Sequence, residues 1–194
     1  MFFDQHGQLC SCHRVAFDYE REPQASHRHT SDCAGIKGRV ELRVSFRSDS
    51  FDPDAFGDCE PARRRSAGAY AWRTQLNAGA RLAFGSDAPV ETFDPLAGIH
   101  AAVTRRRADG SPGLDGWYPE QRLSVHEAVY AYSMGAAYAA YEEQRKGSLT
   151  PGKLADLVVL DRDIFQIDAM ELLHTKVLAT LIDGRFVWRD PFFV

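Results

Sequence analysis

The segment Leu82–Ala88, LAFGSDA, delivers an aspartate, Asp87, at the end of a short apolar run. A carboxylate at the C-terminal end of a buried parallel strand is fixed by that strand while the surrounding loops receive substrate, which is where a barrel enzyme keeps a catalytic group or metal ligand. Such a group can accept a proton or hold a divalent cation. A second set of reactive types lies near the start of the chain. Cys10-x-Cys12-His13, His27-x-His29 and Cys33 supply enough soft ligands for a tetrahedral zinc. Their spacing lacks the paired knuckles, about two to four residues apart, of structural zinc sites, so unstructured thiols and imidazoles are the favoured reading. His100, His126 and His174 are lone imidazoles on predicted helices and read as surface or supporting groups.

The elements that must place Asp87 are legible around it. Ala69, Tyr70, Trp72, Arg73 and Leu76 recur at helical spacing within residues 67–78, with Asn77 and Gly79 as stop signals. Arg81–Phe84 then reads as a buried strand, and Gly85-Ser86-Asp87 leaves it. Asp94-Pro95 offers an N-cap and a first-turn proline for a helix whose stripe is Leu96, Ile99 and Val103 and which ends at Arg105–Arg107. The arginines there, and at 63–65, read as exposed charges. Trp117 and Tyr118 follow on a glycine-containing loop, as rim cover or as the mouth of a pocket.

Ser124-Val125-His126-Glu127 is a capping box opening the longest helix, whose alanine-rich stripe permits close approach, with Gly135 where a larger side chain hinders contact. Beyond it the period changes. Leu157–Leu160 suits a buried strand, and Val177–Ile182 and Arg185–Trp188 read as two strands joined by a primed turn at Asp183-Gly184. Asp156, near the start of the first of these strands, is placed to accept hydrogen bonds from backbone amides, a structural task.

Composition divides the chain. Residues 1–66 contain six Leu, Ile or Val and residues 67–194 contain 26, so the opening third contributes little to a core. That third also holds all four cysteines. It reads as an irregular or disordered leader over residues 1–65, or as a stretch translated out of frame. Its one periodic piece, Val40–Phe46, alternates like a strand but has no evident partner nearby.

Three stretches then carry a family resemblance: LNAGARLAFGSDAPVETFDPLAGIHAAVTRR, PEQRLSVHEAVYAYSMGAAYAAYEEQRKGSLTPGKLADLVVLDRD and TKVLATLIDGRFVW. In this order they resemble the C-terminal part of the amidohydrolase superfamily, in its amidohydrolase 3, exoenzyme-regulatory-protein-like branch, over roughly residues 66–190. The resemblance implies an α/β fold. Residues 66–146 would be the C-terminal end of a metal-dependent hydrolase (β/α)8 barrel, and residues 147–194 part of a small β-sandwich. It also implies that Asp87 is the last-strand aspartate, both a metal ligand and the base that deprotonates a metal-activated water. The substrate class is a small molecule with a non-peptide amide or related carbon–nitrogen bond, and the cofactor a divalent metal, with zinc the first candidate.

The family's remaining ligands, a His-x-His on the first strand, a lysine or acid on the fourth, and histidines on the fifth and sixth, have no recognisable strands here. His27-x-His29 imitates the first motif, yet it stands only 58 residues before Asp87 (87 − 29), where most of a barrel must intervene. A complete barrel takes about 250 residues, or at least roughly 200, so that match reads as chance. The isolated chain is therefore expected to bind no stable metal and to lack amidase activity. Its apolar surface, with Trp72, Phe84, Trp117 and Tyr118 as the exposed candidates, is expected to drive self-association or pairing with an N-terminal half. An assembly subunit that completes a split barrel, and a zinc protein built on Cys10, Cys12 and Cys33, are the alternatives.

A formal charge of −4 gives no general attraction to phosphate backbones, so no nucleic-acid partner is expected. The apolar runs fall far short of the roughly 20 residues of a membrane-spanning helix, and the start has no basic segment followed by an apolar core. A cytoplasmic location follows as the default.

Overall fold

A computed structural model of the chain describes residues 41–45, 69–89 and 92–193. Two sheets form. Strand β1 (Glu41–Ser45) pairs in parallel with β2 (Arg81–Gly85), in a register that sets Glu41 beside Arg81 and Ser45 beside Gly85. The strand anticipated within residues 40–46 thus has a partner after all. That partner lies 40 residues on (81 − 41), and a parallel pair needs a long crossover rather than a tight turn, so no local signal announces it.

Helix α1 (Trp72–Asn77) lies in this crossover and is shorter than the 67–78 segment expected to form it. Leu82, Ala83 and Phe84 are buried at consecutive positions of β2, as in a strand covered on both faces. Helix α2 (Pro95–Thr104) begins as its sequence dictates: the Asp94 side chain accepts the Leu96 amide at 2.9 Å and Pro95 occupies the first turn.

The capping box at Ser124 is complete. The Ser124 hydroxyl accepts the Glu127 amide at 3.2 Å, and the Glu127 carboxylate accepts the Ser124 amide at 2.7 Å. From it runs one helical path in three parts: α3 (Val125–Tyr130), a π-helical turn (Ala131–Gly135) and α4 (Ala136–Ala139). Gly135 lies against β2, where any Cβ would collide with the Leu82 carbonyl oxygen. The wide turn and its glycine bring this helix onto the strand backbone.

The second sheet is antiparallel, in the order β3 (Leu157–Leu160), β4 (Val177–Ile182), β5 (Arg185–Arg189). The β4–β5 turn uses Asp183 (φ 50°) and Gly184 (φ 73°), the two left-handed residues of the expected primed turn. Asp156 is buried and accepts the Asp183 amide at 2.8 Å, while Ala155 accepts the Gly184 amide at 2.9 Å. The start of β3 is thereby tied to that turn, the structural task anticipated for Asp156. Val158, Ile164 and Leu172 join the same core as Trp72 and Phe84, so the sheet and the helices share one interior.

Two expectations about the surface are overturned. Trp72, Phe84 and Trp117 are buried and Tyr118 is half-buried, whereas exposed apolar area sits on Phe93, Leu114, Tyr141 and β5. Arg105 is wholly buried, and Arg106 and Arg107 are half-buried, rather than standing as exposed helix-end charges. Arg105 caps α2 in a left-handed conformation (φ 59°), which leaves its guanidinium between Trp72 and Trp117, 4.8 and 5.1 Å from their ring centres. Its Nε donates to the Trp117 carbonyl at 2.9 Å and its Nη1 to the Tyr70 carbonyl at 3.1 Å. Loss of hydration pulls its pKa down to about 10, which still leaves it charged near neutrality.

Candidate functional site

Asp87 stands two residues beyond the C-terminal end of β2, half-buried, with a left-handed backbone (φ 56°) that aspartate tolerates better than most side chains. The strand behind it is held by packed rings. Phe84 lies 5.3 Å from Trp72 and 5.5 Å from Tyr132, the latter edge to face. Gly135 seats the π-helical turn on the same strand. Asp87 therefore follows closely on a strand held by packed rings and by the π-helical turn.

The charged pairs nearby in sequence are committed elsewhere. Arg73 and Glu127 join α1 to the start of α3 through two contacts of 2.7 and 2.5 Å, and Arg73 also donates to the Arg122 carbonyl at 3.1 Å. The Arg73 guanidinium, aided by the Ser124 amide and hydroxyl, holds the Glu127 carboxyl down at about 2. This is a fixed carboxylate that fastens a helix, not a proton carrier. His100 is buried with Nε2 3.3 Å from the Met170 sulfur and 3.5 Å from the Thr104 hydroxyl. Burial first, and the Arg106 charge second, push it down to about 4, so it is neutral at physiological pH. His126 is exposed and stacks on Phe165 at 4.3 Å between ring centres, and His174 is exposed at the end of the 3-10 turn Ala169–His174.

Among the described residues no group of three His, Cys, Asp or Glu side chains is placed to hold a metal ion. The candidate aspartate is present, but these histidines do not assemble with it into a ligand cage. Cys10, Cys12, His13, His27, His29 and Cys33, like Arg63–Arg65, lie outside the described residues. A catalytic zinc takes about three protein ligands. One carboxylate does not fit that requirement, so the described residues do not constitute a metal site by themselves.

The model of the amidohydrolase family matches residues 37–188, well over half the chain. The chain belongs to the amidohydrolase family. The match begins ahead of residue 66, where the sequence resemblance had placed its start, and takes in β1. YtcJ of Bacillus subtilis (strain 168), which carries the name of an amidohydrolase, is 38% identical over 120 residues, covering 62% of this chain and 22% of its own length. The N-substituted formamide deformylase of Arthrobacter pascens is 36% identical over 112 residues, covering 58% and 20%. An uncharacterized metal-dependent hydrolase of Pyrococcus horikoshii ot3 superposes with a TM-score of 0.53 at 26% identity, over 68% of this chain and 26% of that one. The chain spans about a quarter or less of the length of these amidohydrolase relatives. Among the described residues no helix is long and apolar enough to cross a membrane.

Arg105 went unrecognised in the sequence. It ties the loop ahead of Trp117 to the aromatic cluster that backs β2. A run of three arginines at a helix end carries no signal that the first is internal.

Proposed function

We infer that the chain forms the last-strand portion of a metal-dependent hydrolase of non-peptide carbon–nitrogen bonds, with Asp87 as its metal-ligating, proton-accepting carboxylate. The observation that carries this reading is the position of Asp87: half-buried, just past the C-terminal end of a strand whose parallel partner β1 is reached through a helical crossover. A parallel strand pair joined through a helix supports the reading of a (β/α)8 barrel, whose chemistry sits at the C-terminal ends of its strands. Residues 147–194 belong, in this reading, to the sandwich beside the barrel. The deformylase relative, named for acting on N-substituted formamides, points to a small substrate with an acyl carbon–nitrogen bond.

What the chain itself contributes is one oriented carboxylate on a stiff support. The described residues offer Asp87 no companion ligands, so in this reading the rest of the cage comes from residues outside them. Zinc is the first metal to test. The full chain alone is expected to show no turnover of an N-substituted formamide with added zinc; turnover restored by zinc alone would overturn the reading. The positive test transplants residues 69–194 into the matching segment of the Arthrobacter deformylase. That chimera should be active, and Asp87→Asn should lower its kcat by about 10²–10⁴-fold, the usual contribution of a positioned acid or base. An Asp87→Asn chimera that retains full kcat would remove Asp87 from the site.

A further inference from the structure

The segment between α4 and β3 is a closed loop. The Leu154 amide donates to the Arg145 carbonyl at 2.8 Å and ties its two ends, and Lys146 pairs with Glu142 just past α4. Inside this loop Lys153 is aimed rather than merely packed. Its Nζ donates to the Ser148 hydroxyl at 2.8 Å and reaches the Lys146 carbonyl at 3.4 Å and the Met134 sulfur at 3.7 Å. An ammonium carries three N–H donors, and these three neutral acceptors fix where it points. Met134 belongs to the π-helical turn, between Tyr132, whose ring packs on Phe84, and Gly135, which sits on the Leu82 carbonyl. The same loop meets Met134 a second time. Gly147 takes a left-handed backbone (φ 94°), and a Cβ there would lie 2.9 Å from the Met134 sulfur and 2.8 Å from the Ala137 Cβ. Methionine is the most adaptable of the apolar side chains and alone would not fix a turn, but here its sulfur is held between an ammonium and a glycine backbone. The loop ahead of β3 therefore bears on the turn that seats β2, and Asp87 follows that strand by two residues.

We propose that Lys153 is a positioning residue for Asp87: through Met134 it holds the π-helical turn against β2 and so fixes where the strand delivers its aspartate. Its catalytic consequence rests on the reading of Asp87 given above. An apolar side chain of similar length would fill the same space without aiming at the three acceptors. Loss of the ammonium should therefore loosen the turn and β2 locally while the core stays filled.

The test uses two variants that keep the packing. Lys153→Met retains the stem and removes the ammonium, and Met134→Leu retains the volume and removes the sulfur. In the full chain, amide hydrogen exchange over residues 82–87 should be at least about tenfold faster in either variant, with β4 unchanged. The double variant should be no faster than either single one, because both remove the same link. A lysine that merely stabilised the fold would raise exchange in all elements together. In the deformylase chimera, Lys153→Met should lower kcat about tenfold with KM unchanged, the mark of a displaced carboxylate rather than of lost binding. Unchanged exchange over residues 82–87, a uniform rise along the chain, additive effects of the two substitutions or an unchanged kcat would each overturn the proposal. Failure of the site reading shows elsewhere, as full kcat in the Asp87→Asn chimera.

Discussion

β2 and β5 are strands of equal length, each hydrogen-bonded to one neighbour among the described residues, and they meet opposite fates. RLAFG is buried through its middle while RFVWR, the more aromatic of the two, is exposed along its whole length. Residue type does not explain this. β2 is covered by the Trp72 and Tyr132 rings and by the backbone around Gly135, whereas the side chains of β5 remain in contact with water. What covers a strand decides whether its rings stabilise the fold or stay exposed.

That contrast can be tested by mutation. The largest effect is expected for Trp72→Ala, which removes the ring packed on Phe84 and one face of the Arg105 sandwich. Urea denaturation should show a loss of about 3–5 kcal/mol, the usual cost of deleting a buried tryptophan. Gly135→Ala should cost about 1–3 kcal/mol, because the added methyl must displace the helix from the Leu82 carbonyl. If Gly135→Ala were neutral, the close seating of the π-helical turn on β2 would be wrong.

A smaller effect is expected in acid. Glu127 titrates near 2 in the folded chain against an ordinary value of 4.5, chiefly because Arg73 bonds its carboxylate. The stability this confers is fully present above pH 4.5 and is lost as the pH falls towards 2. Denaturation midpoints measured between pH 6 and 2 should fall across that window, and Arg73→Met should flatten this part of the profile. The smallest effect is expected for Trp188→Ala on β5, within about 0.5 kcal/mol. A loss there as large as that of Trp72→Ala would mean that β5 is already covered and would erase the contrast.

Local signals made much of the site legible and tertiary ones did not. LAFGSDA placed Asp87 just past a strand end because the apolar run and the Gly-Ser exit are both local, and the same holds for the Asp94 cap, the Ser124 capping box and the Asp183-Gly184 turn. The partner of Val40–Phe46 was missed because a parallel strand is chosen by a crossover and a shared interior rather than by adjacent residues. Trp72, Phe84 and Trp117 were misplaced on the surface for a related reason. An incomplete barrel predicts them at its open edge, whereas Trp72 and Trp117 flank the Arg105 guanidinium and Phe84 packs on Trp72. Arg105 was misjudged because its neighbours in sequence are charged while its neighbours in space are indoles.

The Arg105 guanidinium also bridges two stretches of chain that a protease could separate. Residues 108–109 and 112–115 form an exposed loop, the kind of place where a nick falls, yet the Tyr70 and Trp117 carbonyls on either side of it are gripped by one side chain. A chain cut in that loop should remain a single particle under native conditions and come apart only in denaturant, held across the break like cloth by a rivet.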